Sequence, residues 1–148
     1  MKIPVQLILL IKHFEGLARL VKGMVYPYLC PAGYPTRGFG IRVRDMNVGP
    51  VTPSQAEQDL IALLPIYTDH VIRLCPILAL PGNEARLAAI TDFCFNLGPA
   101  ALAASTLRKK INRADWRGAQ RELNKWVHGG GRVLPGLVQR RLAEGALL

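Results

Sequence analysis

Residues 12–40 read KHFEGLARLVKGMVYPYLCPAGYPTRGFG, and Glu15 is the hinge of that stretch. Upstream of it, Ile3, Leu7, Leu10, Ile11 and Phe14 recur at intervals of three and four, the pattern of one buried helix face. Gly16 ends the pattern, so Glu15 closes the first helix and points toward whatever the following loop encloses. Poor solvation in such a place favours a protonated carboxyl, which suits a general acid. The plainer alternative is a solvated acid in the last turn. A negative charge near a helix C-terminus is mildly unfavourable against the macrodipole, so structural convenience explains it poorly.

Downstream of Glu15 the chain is rich in Tyr, Pro and Gly and carries Cys30 and Thr36. Strand signals are confined to Tyr26 through Val43. There Arg37, Phe39 and Ile41 alternate with Gly38, Gly40 and Arg42, after a turn around Pro31 to Gly33. From Thr52 onward helix signals dominate. Thr52, Pro53 and Gln55 predict a capping box opening a helix toward Leu74, which Pro65 is expected to kink or split.

A helix from about Asn83 presents Leu87, Ile90, Phe93, Cys94 and Leu97 as the central core, with Gly98 as a left-handed stop. Ser105 and Asp115 cap two more helices, the second carrying Trp116, Leu123 and Trp126 and ended by Gly129 to Gly131. Pro135 opens a terminal helix through Leu148, with Leu137, Val138, Leu142 and Ala143 inward. The expected class is α+β, mostly α, in one domain. It has a β-hairpin lobe of about residues 16–51 and a larger helical lobe of 1–15 and 52–148, flanking a cleft.

The chain has 148 residues, half of them hydrophobic, enough to bury a core without crosslinks. The apolar run from Val5 to Ile11 is interrupted by Gln6 and is far short of a membrane span; it also lacks a signal-peptide cleavage site. A cytosolic protein without stable membrane insertion is therefore expected. Cys30, Cys75 and Cys94 are odd in number and show no CxxC spacing, which argues against a disulfide framework or a zinc knuckle. His13, His70 and His128 have no ligand spacing either, so neither a metal nor another cofactor is expected.

The net charge of +9 points to a polyanionic surface such as cell wall, anionic lipid or nucleic acid. From Ser105 onward ten Lys or Arg face three acids, with Arg140 and Arg141 adjacent. Aromatics are not interleaved with these cations, which disfavours specific nucleic-acid binding.

Glu15, then Cys30, then Thr36 after five intervening residues, then Gly38-Phe39-Gly40, resembles the motif of tailed-phage lysozymes, the endolysin family also called glycoside hydrolase family twenty-four. The run from Phe93 to Gly98 resembles that family's core helix with its Phe-Asn-Leu-Gly ending. The segment GGGRVLPGLVQRRLAE, from Gly129 to Glu144, resembles its last loop and helix. Two features depart from the family pattern. Fourteen residues separate Glu15 from Cys30, so Leu20 to Val25 reads as an inserted bulge beside the cleft, and Ile41 stands where a histidine is common.

The resemblance implies hydrolysis of the bond between N-acetylmuramic acid and N-acetylglucosamine in peptidoglycan. Glu15 would then deliver the proton to the leaving oxygen, and Thr36 would position the water. Cys30 stands where many relatives carry Asp. It positions water, stabilises charge or acts as general base, if cations such as Arg37 lower its pKa; its alternative is a small buried hydrophobe.

Phe95, Asn96 and Thr106 match positions where relatives line the sugar cleft, and Arg42 ends the hairpin strand as a further substrate contact. Each also reads as a helix-end or surface residue. The resemblance further implies a monomer released from the host cytoplasm by a holin to reach periplasmic peptidoglycan, with the basic surface speeding encounter with wall polymers. A lytic transglycosylase and a non-enzymatic cationic membrane disruptor are the competing readings.

Overall fold

The computed structural model describes residues 2–148. It contains two compact units, one of Ile11–Leu64 and one joining Pro65–Leu148 to the N-terminal residues through Leu10. Among the described residues there are seven α-helices and three small antiparallel sheets, an α+β chain that is mostly helical. No described helix is long and apolar enough to cross a membrane.

Helix α1 spans Val5–Glu15. Leu7 and Ile11, one turn apart, are fully buried, as the three-and-four spacing predicts. Gly16 stops the helix at φ +62°, with its N–H returned to the Lys12 carbonyl at 3.1 Å. Helix α2 spans Pro53–Leu74. Its capping box is present in full: Thr52 Oγ1 accepts from Gln55 N–H at 3.1 Å, and Gln55 Oε1 accepts from Thr52 N–H at 3.0 Å. Pro65 does not split α2. It withholds one hydrogen bond from the helix ladder, and the boundary between the two units falls immediately before it.

Within the unit of residues 11–64, three short hairpins or turns replace the single strand run expected from the alternation. Strands β1 (Leu20–Val21) and β2 (Met24–Val25) form a hairpin closed by Lys22 and Gly23, both at positive φ, +48° and +77°. Two central residues with positive φ define a type I′ turn, whose twist matches paired strands. The expected bulge at Leu20 to Val25 is this hairpin, pinned at its base by a Val25–Val51 bridge with N···O distances of 2.7 and 3.0 Å.

Strands β3 (Tyr28–Leu29), β4 (Pro35–Arg37) and β5 (Ile41–Arg42) form the second sheet in the order β3-β4-β5. Gly38-Phe39-Gly40 is the turn between β4 and β5 and not part of a strand. Both glycines have positive φ, and the Phe39 side chain is buried.

The unit containing Pro65–Leu148 is built around α3, Glu84–Leu97. Leu87, Ile90, Phe93 and Cys94 lie in its main core cluster with Val71, Cys75, Leu78, Leu102, Leu107, Ile111, Ala119 and Leu123. Phe93 meets Trp126 edge-on, with ring centroids 5.4 Å apart, a preferred arrangement worth about 0.5–1.5 kcal/mol beyond its area burial. Gly98 stops α3 at φ +89° and ψ 152°, so the stop is not left-handed helical; it occupies a region open essentially only to glycine. The same glycine begins α4, Pro99–Ala103. Ser105 caps α5 (Thr106–Asn112) through Arg108 N–H at 3.0 Å, and Asp115 caps α6 (Trp116–Leu123) through Gly118 N–H at 2.9 Å.

Two expectations for the C-terminal segment are corrected. Helix α6 ends at Leu123, and the glycine run serves instead as the turn of the hairpin that forms the third sheet. Its strands are β6 (His128–Gly129) and β7 (Arg132–Val133), joined by Gly130 and Gly131 at φ +59° and +79°.

Helix α7 spans Pro135–Gly145, stopping short of Leu148, and packs on α3 with a different face from the one expected. Leu142 is exposed, while Arg140, Arg141 and Glu144 are buried. Arg140 makes a fork to Asp92 on α3, donating from Nε at 2.9 Å and Nη2 at 2.7 Å. Arg141 Nη2 donates to Glu144 Oε1 and to Asn96 Oδ1, each at 2.8 Å, and its Nε lies 2.8 Å from Glu144 Oε2. Burial, followed by the adjacent Asp92 carboxyl, pushes the Glu144 pKa above the usual carboxylate range. These two arginines therefore belong to an internal ion cluster and add nothing to the basic surface.

Candidate active site

Glu15, Cys30, Thr36 and Arg42 all lie in the unit of residues 11–64. Glu15 is the last residue of α1, half-buried. One turn earlier, Lys12 pairs with Glu57 of α2 and sits over the Phe39 ring, 5.7 Å from its centroid. The Gly38-Phe39-Gly40 turn is thus held under the end of α1. Gly40 in turn allows the acid its place: a Cβ built there would fall 2.8 Å from Glu15 Oε2 and 3.2 Å from its Cδ.

Gly38 has a similar backbone, but its Cβ would meet Ala56 and not Glu15. A left-handed non-glycine residue costs roughly 1–2 kcal/mol in either position. Gly40→Ala is therefore expected to lower turnover by about a hundredfold through displacement of the acid, whereas Gly38→Ala lowers thermal stability with turnover near wild type. Equal turnover in the two variants would contradict this role for Gly40.

Sheet register places Thr36 between the other two strands, opposite Tyr28 on β3 and Arg42 on β5. Directly paired residues share a face, so Tyr28, Thr36 and Arg42 form a row across the sheet. Thr36 is buried and donates its hydroxyl to the Tyr34 carbonyl at 2.9 Å. With that proton committed, its lone pairs remain as acceptors. The Tyr28 phenol is raised above its ordinary pKa by burial first, then by the charges of Glu15 and Cys30, and so stays neutral.

Cys30 is half-buried, and its thiol is held below its ordinary pKa. The leading cause is the Tyr34 N–H, which donates to Sγ at 3.4 Å; the Ala32 and Gly33 N–H groups add to it. Arg37, expected to supply this effect, is directed elsewhere. It donates to the Gly49 carbonyl at 2.6 Å and faces Asp59 at 3.6 Å. Cys75 and Cys94 are core residues, as expected, and burial pushes their thiols up to about 11 and about 12.

Native protein at pH 8 should accordingly take up one iodoacetamide per chain, at Cys30, with a pH midpoint below the ~8.5 of a free thiol. All three thiols should react after denaturation. Labelling of Cys75 or Cys94 before Cys30 would contradict the assignment.

Phe95, Asn96 and Thr106 lie in the other unit. Phe95 and Asn96 are in the last turn of α3. The Phe95 ring packs on Tyr67 with centroids 5.2 Å apart, and Asn96 is oriented by Arg141. Thr106 is the exposed first residue of α5. Sequence reasoning passed over Tyr28 and Tyr34. The signal available was local: Tyr28 is two residues before Cys30, hence on its side of an extended chain, and Tyr34 is two before Thr36.

The phage lysozyme family model matches residues 12–144. An endolysin of Acyrthosiphon pisum secondary endosymbiont phage 1 is 37% identical, over 95% of this chain and 92% of its own. Among solved structures, the endolysin from Escherichia coli O157:H7 phage FAHEc1 superposes with a TM-score of 0.79 at 27% identity, covering 99% of this chain and 92% of that one. The muramidase domain of SpmX from Asticaccaulis excentricus gives 0.83 at 27% identity, covering 99% and 96%. A match of this extent, in sequence and in fold, has one consequence: the chain belongs to the phage lysozyme family.

Proposed function

We propose that this peptidoglycan-degrading, lysozyme-type endolysin is an N-acetylmuramidase, cleaving the β-1,4 bond between N-acetylmuramic acid and N-acetylglucosamine by hydrolysis. The observation that carries the reading is the placement of Glu15 against Gly40 in the same unit as a Cys30–Thr36 pair tied to one residue, Tyr34. Glu15 protonates the departing glycosidic oxygen as positive charge builds at the anomeric carbon. Thr36, its own proton committed to Tyr34, accepts a hydrogen bond from the attacking water and aims it. Cys30, lowered toward the thiolate, stabilises the developing charge or takes the water's proton. Arg42, Phe95, Asn96 and Thr106 contact the glycan.

In this reading the chain accumulates in the host cytoplasm as a monomer, and a holin releases it to the periplasmic wall. The remaining surface cations then attract anionic wall polymers. Release of reducing ends from purified peptidoglycan tests the roles. Thr36→Ala should retain about one per cent of wild-type turnover, in line with the roughly 10²-fold cost of a misplaced attacking group. Cys30→Ser should fall less if the sulfur only orients water. Full activity in Thr36→Ala would remove it from the mechanism.

A further inference from the structure

The loop from Cys30 to Thr36 closes on a single residue, Tyr34, through the two peptide groups that flank its Cα. The Tyr34 carbonyl accepts twice, from Cys30 N–H at 3.0 Å and from Thr36 Oγ1 at 2.9 Å, while the Tyr34 N–H donates to Cys30 Sγ. Gly33 N–H to the Cys30 carbonyl, at 2.8 Å, completes the turn. Both lone-pair directions of that carbonyl are used, and both candidate water-handling side chains hang from the same residue. The Tyr34 ring is 47% exposed, so it adds nothing to the buried core. It lies instead under the Arg42 guanidinium, whose carbon is 3.6 Å from the ring centroid. Arg42 is the register partner of Thr36 on β5, so the stack ties the loop to the far strand of the sheet.

We propose that Tyr34 is a positioning residue for Cys30 and Thr36, and that Arg42, stacked on its ring, is the clamp that holds it in place. The proposal rests on the reading of Cys30 and Thr36 as the groups that handle water. Its chemistry is simple. The Tyr34 carbonyl fixes the Thr36 proton so that the hydroxyl faces water as an acceptor, and the Tyr34 N–H stabilises charge on sulfur. An exposed tyrosine stacked by a guanidinium is a modest restraint, but it acts on the one residue whose N–H and C=O set both side chains.

The groups facing the Cys30 sulfur are the N–H groups of Ala32, Gly33 and Tyr34, the Thr36 hydroxyl and the Tyr28 phenol. Of these, Tyr34 and Thr36 depend directly on the clamp.

The test is the pH profile of Cys30 alkylation by iodoacetamide, read beside kcat and KM on peptidoglycan for Tyr34→Ala, Tyr34→Phe, Arg42→Ala and the Tyr34→Ala/Arg42→Ala double variant. Tyr34→Ala keeps the backbone donors and removes the stack; Tyr34→Phe keeps the stack. Tyr34→Ala and Arg42→Ala should each raise the alkylation midpoint by about half a pH unit. The double variant should go no further than either single change, and Tyr34→Phe should match wild type. In Tyr34→Ala, kcat should fall by roughly three- to tenfold with KM near wild type.

An unchanged profile in Tyr34→Ala with an intact far-ultraviolet circular dichroism spectrum would overturn the clamp, as would additive shifts in the double variant. A shifted profile with unchanged kcat would leave the clamp standing and overturn the assignment of Cys30 and Thr36 to the reaction.

Discussion

Glu15→Gln keeps the far-ultraviolet spectrum of the wild type and lowers turnover on purified peptidoglycan by about 10²–10⁴-fold. The amide has the size and reach of the acid, so it fits beside Gly40, where a larger group at either position would not. It has no proton to give to the departing oxygen. Substrate binding should change little, because the lost interaction develops as the bond breaks, so kcat falls and KM does not. Reading both activity and lysis of permeabilised cells matters here. If Glu15→Gln lysed cells as fast as wild type, catalysis would not be the cause of lysis, and the cationic surface of α5 and α6 would be left to explain it.

The second large effect is on stability. Arg140→Leu leaves Asp92 fully buried without the guanidinium that now forks to both of its oxygens. Breaking one side of a buried pair costs about 3–5 kcal/mol, much of it the penalty of the orphaned charge. For a chain of this size that corresponds to a loss of roughly 6–20 °C in Tm. Exchanging both partners for apolar residues should cost clearly less than Arg140→Leu alone, because no unpaired charge remains. Thermal unfolding of Arg140→Leu, Asp92→Leu and the double variant measures this. A double variant as unstable as the sum of the singles would show that the two side chains do not act as a pair.

What was legible in the sequence and what was not divide along one physical line. The caps at Thr52, Ser105 and Asp115, the stop at Gly16 and the apolar face of α3 depend on residues within a turn of each other. They appear in the structure where local rules place them. The inward face of α7 does not, because Arg140 is buried by a partner 48 positions away in the chain. Read alone, two adjacent arginines look solvated and Leu142 looks buried; the acid on α3 reverses both.

The strands failed for a different reason. Gly38 and Gly40 alternate with larger residues as a strand would, yet their positive φ values make them a turn. Lys22-Gly23 was a hairpin signal set between strands of only two residues each, too short for alternation to register.

The site was readable in the same uneven way. The order of Glu15, Cys30 and Thr36 suggested the proposed chemistry but divided the three between a helical and a hairpin lobe, whereas all three lie in the unit of residues 11–64. The origin of the Cys30 shift did not follow from side-chain composition, because the donors are backbone N–H groups whose direction is set by the loop. Arg37 was the evident cation in the sequence, and the fold spends it on Gly49 and Asp59. Tyr34 signalled only through its position two residues before Thr36, since its part is played by its backbone N–H and C=O and by the face of its ring.

Digestion of purified peptidoglycan in heavy-oxygen water, followed by mass spectrometry of the new glycan ends, reaches the central claim in one step. A muramidase that uses Glu15 as acid and Thr36 to aim water adds one solvent oxygen to C1 of each new N-acetylmuramic acid end, and the Glu15→Gln protein produces almost none of these ends. Unlabelled 1,6-anhydromuramic ends would contradict the account, because the attacking oxygen would then come from the sugar and not from water.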